Sequence, residues 1–105
     1  MEIKNIKEPN RVILEICGRI DTTTAGRFEM QVLQQFETAV DEIVLDCAGV
    51  EYLSSAGLRS LLVLAKAASS RNIHIALCRL PGIVREVLEI SGFDSFFEVR
   101  HEGNR

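Results

Sequence analysis

Ile43-Val44-Leu45-Asp46-Cys47, running on through Ala48-Gly49-Val50-Glu51-Tyr52-Leu53-Ser54-Ser55-Ala56-Gly57 into Leu58-Arg59-Ser60-Leu61-Leu62-Val63-Leu64, is the stretch that decides the fold. It begins with an apolar, partly β-branched run of strand length. Small and hydroxyl residues follow, and then apolar residues recur at helical spacing, so the stretch reads as strand, turn and helix. Ser54 and Ser55 stand at the point of change. A turn of this kind exposes side chains at the start of a helix, where unpaired N–H groups and the helix dipole favour an anion or a phosphate. Ser55 is therefore the candidate switch residue.

Upstream, the strand over residues 42–47 places Ile43, Leu45 and Cys47 on one side and Val44 and Asp46 on the other. Ala25, Phe28, Val32 and Phe36 mark an amphipathic helix from Ala25 to about Thr38, and Thr22, Thr23 and Thr24 offer oxygens to cap it. Residues 3–7 and 11–17 are strands that Glu8-Pro9-Asn10 should join as a hairpin, with Gly18-Arg19-Ile20-Asp21 leaving the second strand. Asp21 has two readings, as the cap of the helix or as part of an acidic patch beside Ser55.

Downstream of Gly57, the spacing predicts a buried stripe of Leu58, Leu61, Leu62, Ala65 and Ala68, with Arg59 and Ser60 near the other face. Ser69-Ser70-Arg71-Asn72 ends this helix, and residues 73–78 alternate as a strand. A third helix starts at Leu80-Pro81-Gly82, with Ile83, Val87, Leu88 and Ile90 as its apolar side and Ser91-Gly92 as its stop. Residues 96–100 form a short last strand, and 101–105 a frayed tail. Strands alternating with helices call for an α/β domain. Its sheet of four to five strands should be mixed but mostly parallel after the first hairpin, with amphipathic helices packed on it.

At 105 residues the chain is expected to be a single domain with a core over about 3–99, since two cores would leave each half near the roughly 40 residues at which staples are needed. Its 47% hydrophobic and 26% charged content suits a soluble fold. No apolar run approaches the roughly 20 residues of a membrane span, and residues 1–10 lack the apolar centre of a secretory signal, so a cytoplasmic protein is expected. A net charge of −3 gives no basic surface for nucleic acid or an acidic membrane, which leaves a protein as the expected partner.

Cys17, Cys47 and Cys78 show no C-x-x-C spacing and sit in apolar runs, so they are expected as buried, reduced thiols. Neither His74 nor His101 has zinc-type spacing with a cysteine, and no metal or cofactor is expected. Phosphate-loop, dinucleotide and G-x-S-x-G patterns are missing, and Ser55 has no evident base, so no catalytic residue is assigned.

Gly18-Arg19-Ile20-Asp21 with Thr24-Ala25, the block IVLDCAGVEYLSSAGLRSLL, and VREVLEISGFDSFFEV together resemble a STAS domain of the anti-sigma factor antagonist type, in order over nearly the whole chain. The resemblance implies a regulator that binds an anti-sigma factor that is itself an ATP-binding serine kinase. Phosphorylation switches the regulator off, and a serine phosphatase restores it. The family's acceptor lies two residues before the glycine at the helix head, which is Ser55 here. Many members have an aspartate at the position of Ser54, so Ser54 is a second candidate hydroxyl.

The expected partner surface comprises Asp21, Thr22, Thr23, Thr24, Tyr52, Leu53, Ser54, Ser55, Ala56, Gly57, Arg59 and Ser60. Asp21, Asp46 and Glu51 supply acidic groups near the acceptor. The alternatives are a docking or scaffold module with no phosphate cycle, and a small hydrolase using Ser55.

Overall fold

Alternation in the strand cores and helical spacing between them organise one five-stranded sheet, in a computed structural model that describes residues 1–38, 40–100 and 105. The elements are β1 (Glu2–Glu8), β2 (Arg11–Ile20), α1 (Ala25–Gln35), β3 (Glu42–Leu53), α2 (Ser55–Ser70), β4 (His74–Cys78), α3 (Gly82–Ser91), a 3-10 turn (Phe93–Phe96) and β5 (Glu98–Arg100). The strands lie in the order β1-β2-β3-β4-β5, with β1 antiparallel to β2 and the remaining pairs parallel. This is the mixed, mostly parallel sheet that the pattern predicts.

Val12, Leu14 and Ile16 of β2, Ile43 and Leu45 of β3, and Ile75 and Leu77 of β4 form the helix-bearing face. Phe28 and Val32 of α1, Leu61, Leu64 and Ala68 of α2, and Val84 and Leu88 of α3 pack into the same core. Fully burying a side chain such as Leu64 contributes about 1.5–3 kcal/mol before cavity effects, so this layer dominates the stability.

The second face carries no helix, and the strand register orders it into three rows. One row is Ile6, Ile13, Val44 and Ala76, and its apolar members Ile13 and Val44 pack with Cys78 and Ile6 as a small separate cluster. On either side lie charged rows. Glu8, Arg11, Glu42 and His74 form one, and Lys4, Glu15, Asp46, Cys78 and Arg100 the other. This face is thus covered by ion pairs in place of helices.

Several expectations are corrected. β2 runs on to Ile20 and does not end at Cys17, because two register shifts and Gly18, at φ +105°, carry the strand through an irregular stretch. That irregularity leaves Cys17 exposed, while Cys47 and Cys78 are buried as expected, and all three thiols are free. β3 runs to Leu53, so the strand-to-helix turn is the single residue Ser54. Gly49 is small because β2 passes close by: a Cβ there would stand 2.5 Å from Cys17 Sγ and 3.0 Å from the Ile16 carbonyl oxygen.

Helix α1 stops at Gln35, short of Thr38. In α2 the buried positions are Gly57, Ser60, Leu61, Leu64, Ala65 and Ala68, whereas Leu58 and Leu62 are only half-buried. In α3, Val84 and Leu88 are buried while Ile83 and Ile90 are 56% and 79% exposed, so the apolar side is rotated from the expected one. Phe96 belongs to the 3-10 turn and not to β5. The expected frayed tail lies outside the described residues at 101–104, and Arg105 pairs with Glu15 and, at 3.0 Å, with Asp46.

Candidate functional site

The site is assembled where β2 and β3 end side by side. Ile20 pairs with Leu53, and the Ser54 N–H donates to the Ile20 carbonyl at 2.9 Å. This bond fixes the start of α2 against the end of β2. Gly57 keeps the approach close, since a Cβ there would lie 3.0 Å from the same Ile20 carbonyl oxygen and 2.6 Å from Leu53 Cδ1. One turn further on, the Ser60 hydroxyl donates to the Ala25 carbonyl at 3.2 Å and ties α2 to the first residue of α1.

The two serines occupy different positions. Ser54 is the N-cap: its backbone is extended, at φ −84° and ψ 173°, and its hydroxyl oxygen accepts from the Gly57 N–H at 3.2 Å. A cap of this kind satisfies one of the otherwise unpaired N–H groups of the first turn. Ser55 is the first helical residue and is exposed. The Leu58 N–H already bonds the Ser54 carbonyl, which leaves the N–H groups of Ser55 and Ala56 without intrahelical partners. No acidic residue lies in the first turn of α2, so the positive end of its dipole is uncompensated there.

Beside it, the turn from Asp21 to Thr24 is closed by its own side chains. The Asp21 carboxylate accepts from the Thr23 N–H at 3.0 Å and the Thr23 hydroxyl at 2.7 Å, and these bonds hold its pKa below the usual aspartate value. Thr24 precedes α1 but makes no side-chain cap bond. Its hydroxyl donates to the Arg19 carbonyl at 2.7 Å and accepts from the Asp21 N–H at 2.9 Å. Asp21 therefore rigidifies the turn, and its side chain does not cap the helix.

Of the expected partner surface, Thr22, Thr23, Tyr52, Ser55 and Arg59 are exposed, and Asp21, Thr24, Ser54 and Ala56 are half-buried. Leu53, Gly57 and Ser60 are buried, which corrects the expectation of an accessible Ser60. They support the surface from below. Asp46 is also displaced from its expected place near the acceptor. It lies seven positions before Leu53 on β3, a separation of about 20 Å at strand spacing. Its side chain is 2% exposed and is held by Arg79, whose Nε donates to both carboxylate oxygens at 3.1 Å. Glu51 is exposed near the end of β3.

Sequence patterns did not reveal the Arg19–Tyr52 contact. The guanidinium carbon of Arg19 lies 4.3 Å from the centre of the Tyr52 ring, and its Nε stands 3.6 Å from Asp21 Oδ2. Arg19 and Tyr52 are register partners only because of the shift between Gly18 and Arg19. A signal for this in the sequence is lacking.

The structure separates Ser55 from His74. His74 begins β4 and pairs in register with Glu42, the first residue of β3, whereas Ser55 lies two residues past Leu53, the last residue of that 12-residue strand. His74 Nε2 instead meets Glu98 Oε1 at 2.5 Å. Glu42, His74 and Glu98 bring ligand-type atoms within 4.8 Å of one another, a trio that sequence spacing did not suggest. Arg100 already bridges its two carboxylates, with Nη2 on Glu42 Oε1 at 2.5 Å and Nε on Glu98 Oε2 at 2.8 Å. Arg100 first and His74 second bring the Glu98 carboxyl down to about 2.

An α/β domain with a serine displayed at the head of its central helix is the class that these observations define. The STAS domain family model matches residues 2–102, and the chain belongs to that family. A candidate anti-sigma factor antagonist, BtrV of Bordetella bronchiseptica, is 35% identical over 94% of this chain and 85% of its own. An anti-sigma factor antagonist from Mycobacterium paratuberculosis has the same fold, with a TM-score of 0.83 at 19% identity over 93% of this chain and 83% of that one. Bacillus SpoIIAA, solved in unphosphorylated and phosphorylated forms, gives TM-scores of 0.79 and 0.73 at 16% and 14% identity. Each covers 96% of this chain, and 90% and 93% of the SpoIIAA chains. No helix among the described residues is long and apolar enough to cross a membrane.

Proposed function

We propose that this chain is a phosphorylation-switched anti-sigma factor antagonist in the cytoplasm. Unmodified, it binds an anti-sigma factor that is also an ATP-binding serine kinase and so controls transcription. That kinase transfers the γ-phosphoryl group of ATP to Ser55 Oγ, releasing ADP and the hydroxyl proton, and the modified protein lets go. A serine phosphatase hydrolyses the ester and restores binding.

The observation that carries this reading is the division of labour between the two hydroxyls. Ser54 is half-buried and engaged as the N-cap, while Ser55 is exposed at the first helical position. A phosphate on Ser55 carries about −1.5 to −2 charges, and the dipole and open N–H groups at the head of α2 tolerate it without a change of fold. Its effect is felt by the partner. Desolvating a dianion beside ionised Asp21 in an interface that accepted a neutral hydroxyl is unfavourable, and a loss of about 3–4 kcal/mol weakens binding several-hundred-fold.

The contact surface in this reading is Asp21, Thr22, Thr23, Thr24, Tyr52, Ser54, Ser55, Ala56 and Arg59. Leu53, Gly57 and Ser60 hold it in place. Support comes from family membership, from BtrV, and from SpoIIAA having been solved in a phosphorylated form.

The test mixes wild type, Ser55→Ala, Ser54→Ala and Ser55→Asp with the cognate kinase and ATP, and follows phosphate incorporation and binding. Wild type and Ser54→Ala should be phosphorylated, Ser55→Ala should not, and Ser55→Asp should bind weakly. Incorporation into Ser55→Ala removes the assignment. Tight binding without incorporation into any variant replaces it with an unmodified docking module.

A further inference from the structure

Of the two outer strands of the sheet, β1 and the three-residue β5, β1 presents the longer open edge among the described residues. β1 has seven residues, only Ile3 and Ile6 are half-buried, and β2 is its one neighbour in the sheet. An unpaired edge of this length is a template for a further strand. We propose that the occupant is β1 of a second copy of this chain, paired antiparallel about a two-fold axis through Ile6.

The choice of occupant and register rests on the charge sequence of the strand, Glu2-Ile3-Lys4-Asn5-Ile6-Lys7-Glu8. A two-fold axis perpendicular to a sheet preserves its faces, so opposed residues must share a face and their numbers must sum to an even value. Centring the axis on Asn5 sets Glu2 against Glu8 and Ile3 against Lys7. Centring it on Lys4 sets Lys4 against Lys4. Centring it on Ile3 also makes an unlike pair, Glu2 with Lys4, but engages only the first three residues of the strand. Centring it on Ile6 places Lys4 against Glu8 twice, with Ile6 against Ile6 between them, and uses five residues.

This register also continues the rows on the helix-free face. Ile6 heads the apolar row of Ile13 and Val44, and across the axis it meets the same row of the second copy. Lys4, from the row of Glu15 and Asp46, meets Glu8, from the row of Arg11 and Glu42. Edge lysines as a rule deter strand addition. Here Lys4 faces a carboxylate. Five paired residues make a small interface, so the self-association is of micromolar to millimolar strength.

Sedimentation equilibrium on the full chain from about 10 μM to about 1 mM spans that range. Wild type should pass from monomer to dimer. Lys4→Glu and Glu8→Lys, each alone, set like charges opposite and should weaken association about tenfold or more. An equal mixture of the two variants should recover the wild-type affinity, because each heterodimer restores both unlike pairs. Far-UV circular dichroism confirms that each variant is folded before it is mixed. Wild type that stays monomeric throughout, a variant that dimerises as wild type does, or a mixture that fails to recover overturns the proposal.

Discussion

Gly57 lies directly against Ile20. A methyl group at Gly57 would stand 3.0 Å from the Ile20 carbonyl oxygen and 3.0 Å from Ile20 Cγ2. That carbonyl is already fixed by the Ser54 N–H, so it cannot retreat without loosening the cap of α2. Gly57→Ala should therefore destabilise the domain despite the better helix propensity of alanine. Overpacking costs about 1–3 kcal/mol, and the propensity gain offsets up to about 1 kcal/mol of it. A urea midpoint equal to or above that of wild type would show that the helix start can shift freely.

Ser54 and Ser55 should separate in stability as well as in modification. Ser54→Ala removes the oxygen that accepts from Gly57 N–H and should cost about 1 kcal/mol. Ser55→Ala changes an exposed side chain and, with alanine favoured in helices, should stay within about 0.5 kcal/mol of wild type. Thermal unfolding of the two variants side by side checks this. Equal losses would mean that the capping geometry does not hold in solution.

Asp46 and Arg79 make a pH-dependent prediction. Burial alone would raise the Asp46 carboxyl, but the Arg79 guanidinium and the Ala48 N–H bring it below the usual aspartate value. With the folded value depressed, this group's stabilisation is present above the unfolded value of about 3.9 and is lost as pH falls through the folded one. Arg79→Ala removes the largest of the contacts that lower it and moves the Asp46 carboxyl back up, with the Ala48 N–H and Arg105 still opposing burial. The variant should lose about 2–3 kcal/mol at neutral pH, less than for a wholly buried pair because Arg79 is partly in solvent. The gap should close as pH falls below about 4. Denaturation curves at both pH values decide it, and a gap that persists in acid would assign the loss to packing.

The strands and helices were largely legible because their signals are local. Alternation in Val12, Leu14 and Ile16 and helical spacing in Phe28 and Val32 each express a face turned to one core. What escaped was set by neighbours distant in sequence. Ala48-Gly49 resembles a turn by composition, yet Gly49 is small because Cys17 of β2 lies against it within an unbroken strand. Ser60 looks like a surface hydroxyl but is buried where α2 meets the start of α1. Asp46 and Arg79 are 33 positions apart, and only the parallel register brings them together. The serine at the head of α2 was legible from Ser55 and Gly57, whereas the Arg19–Tyr52 stack depends on a register shift that no local pattern encodes.

Helix α3 turns that distinction into a measurement. Its spacing allows two apolar stripes, one through Ile83, Val87 and Ile90 and one through Val84 and Leu88. The structure buries the second, with Leu88 at 1% and Val84 at 3% exposure, and leaves Ile83 and Ile90 in solvent. Leu88→Ala should open a cavity beneath the helix and cost about 2–5 kcal/mol. Ile90→Ser removes no buried contact and should change stability by less than about 0.5 kcal/mol. Chemical denaturation of both variants tests which stripe faces the core. A large loss in Ile90→Ser with a small one in Leu88→Ala would turn the Ile83 and Ile90 stripe of α3 toward the core.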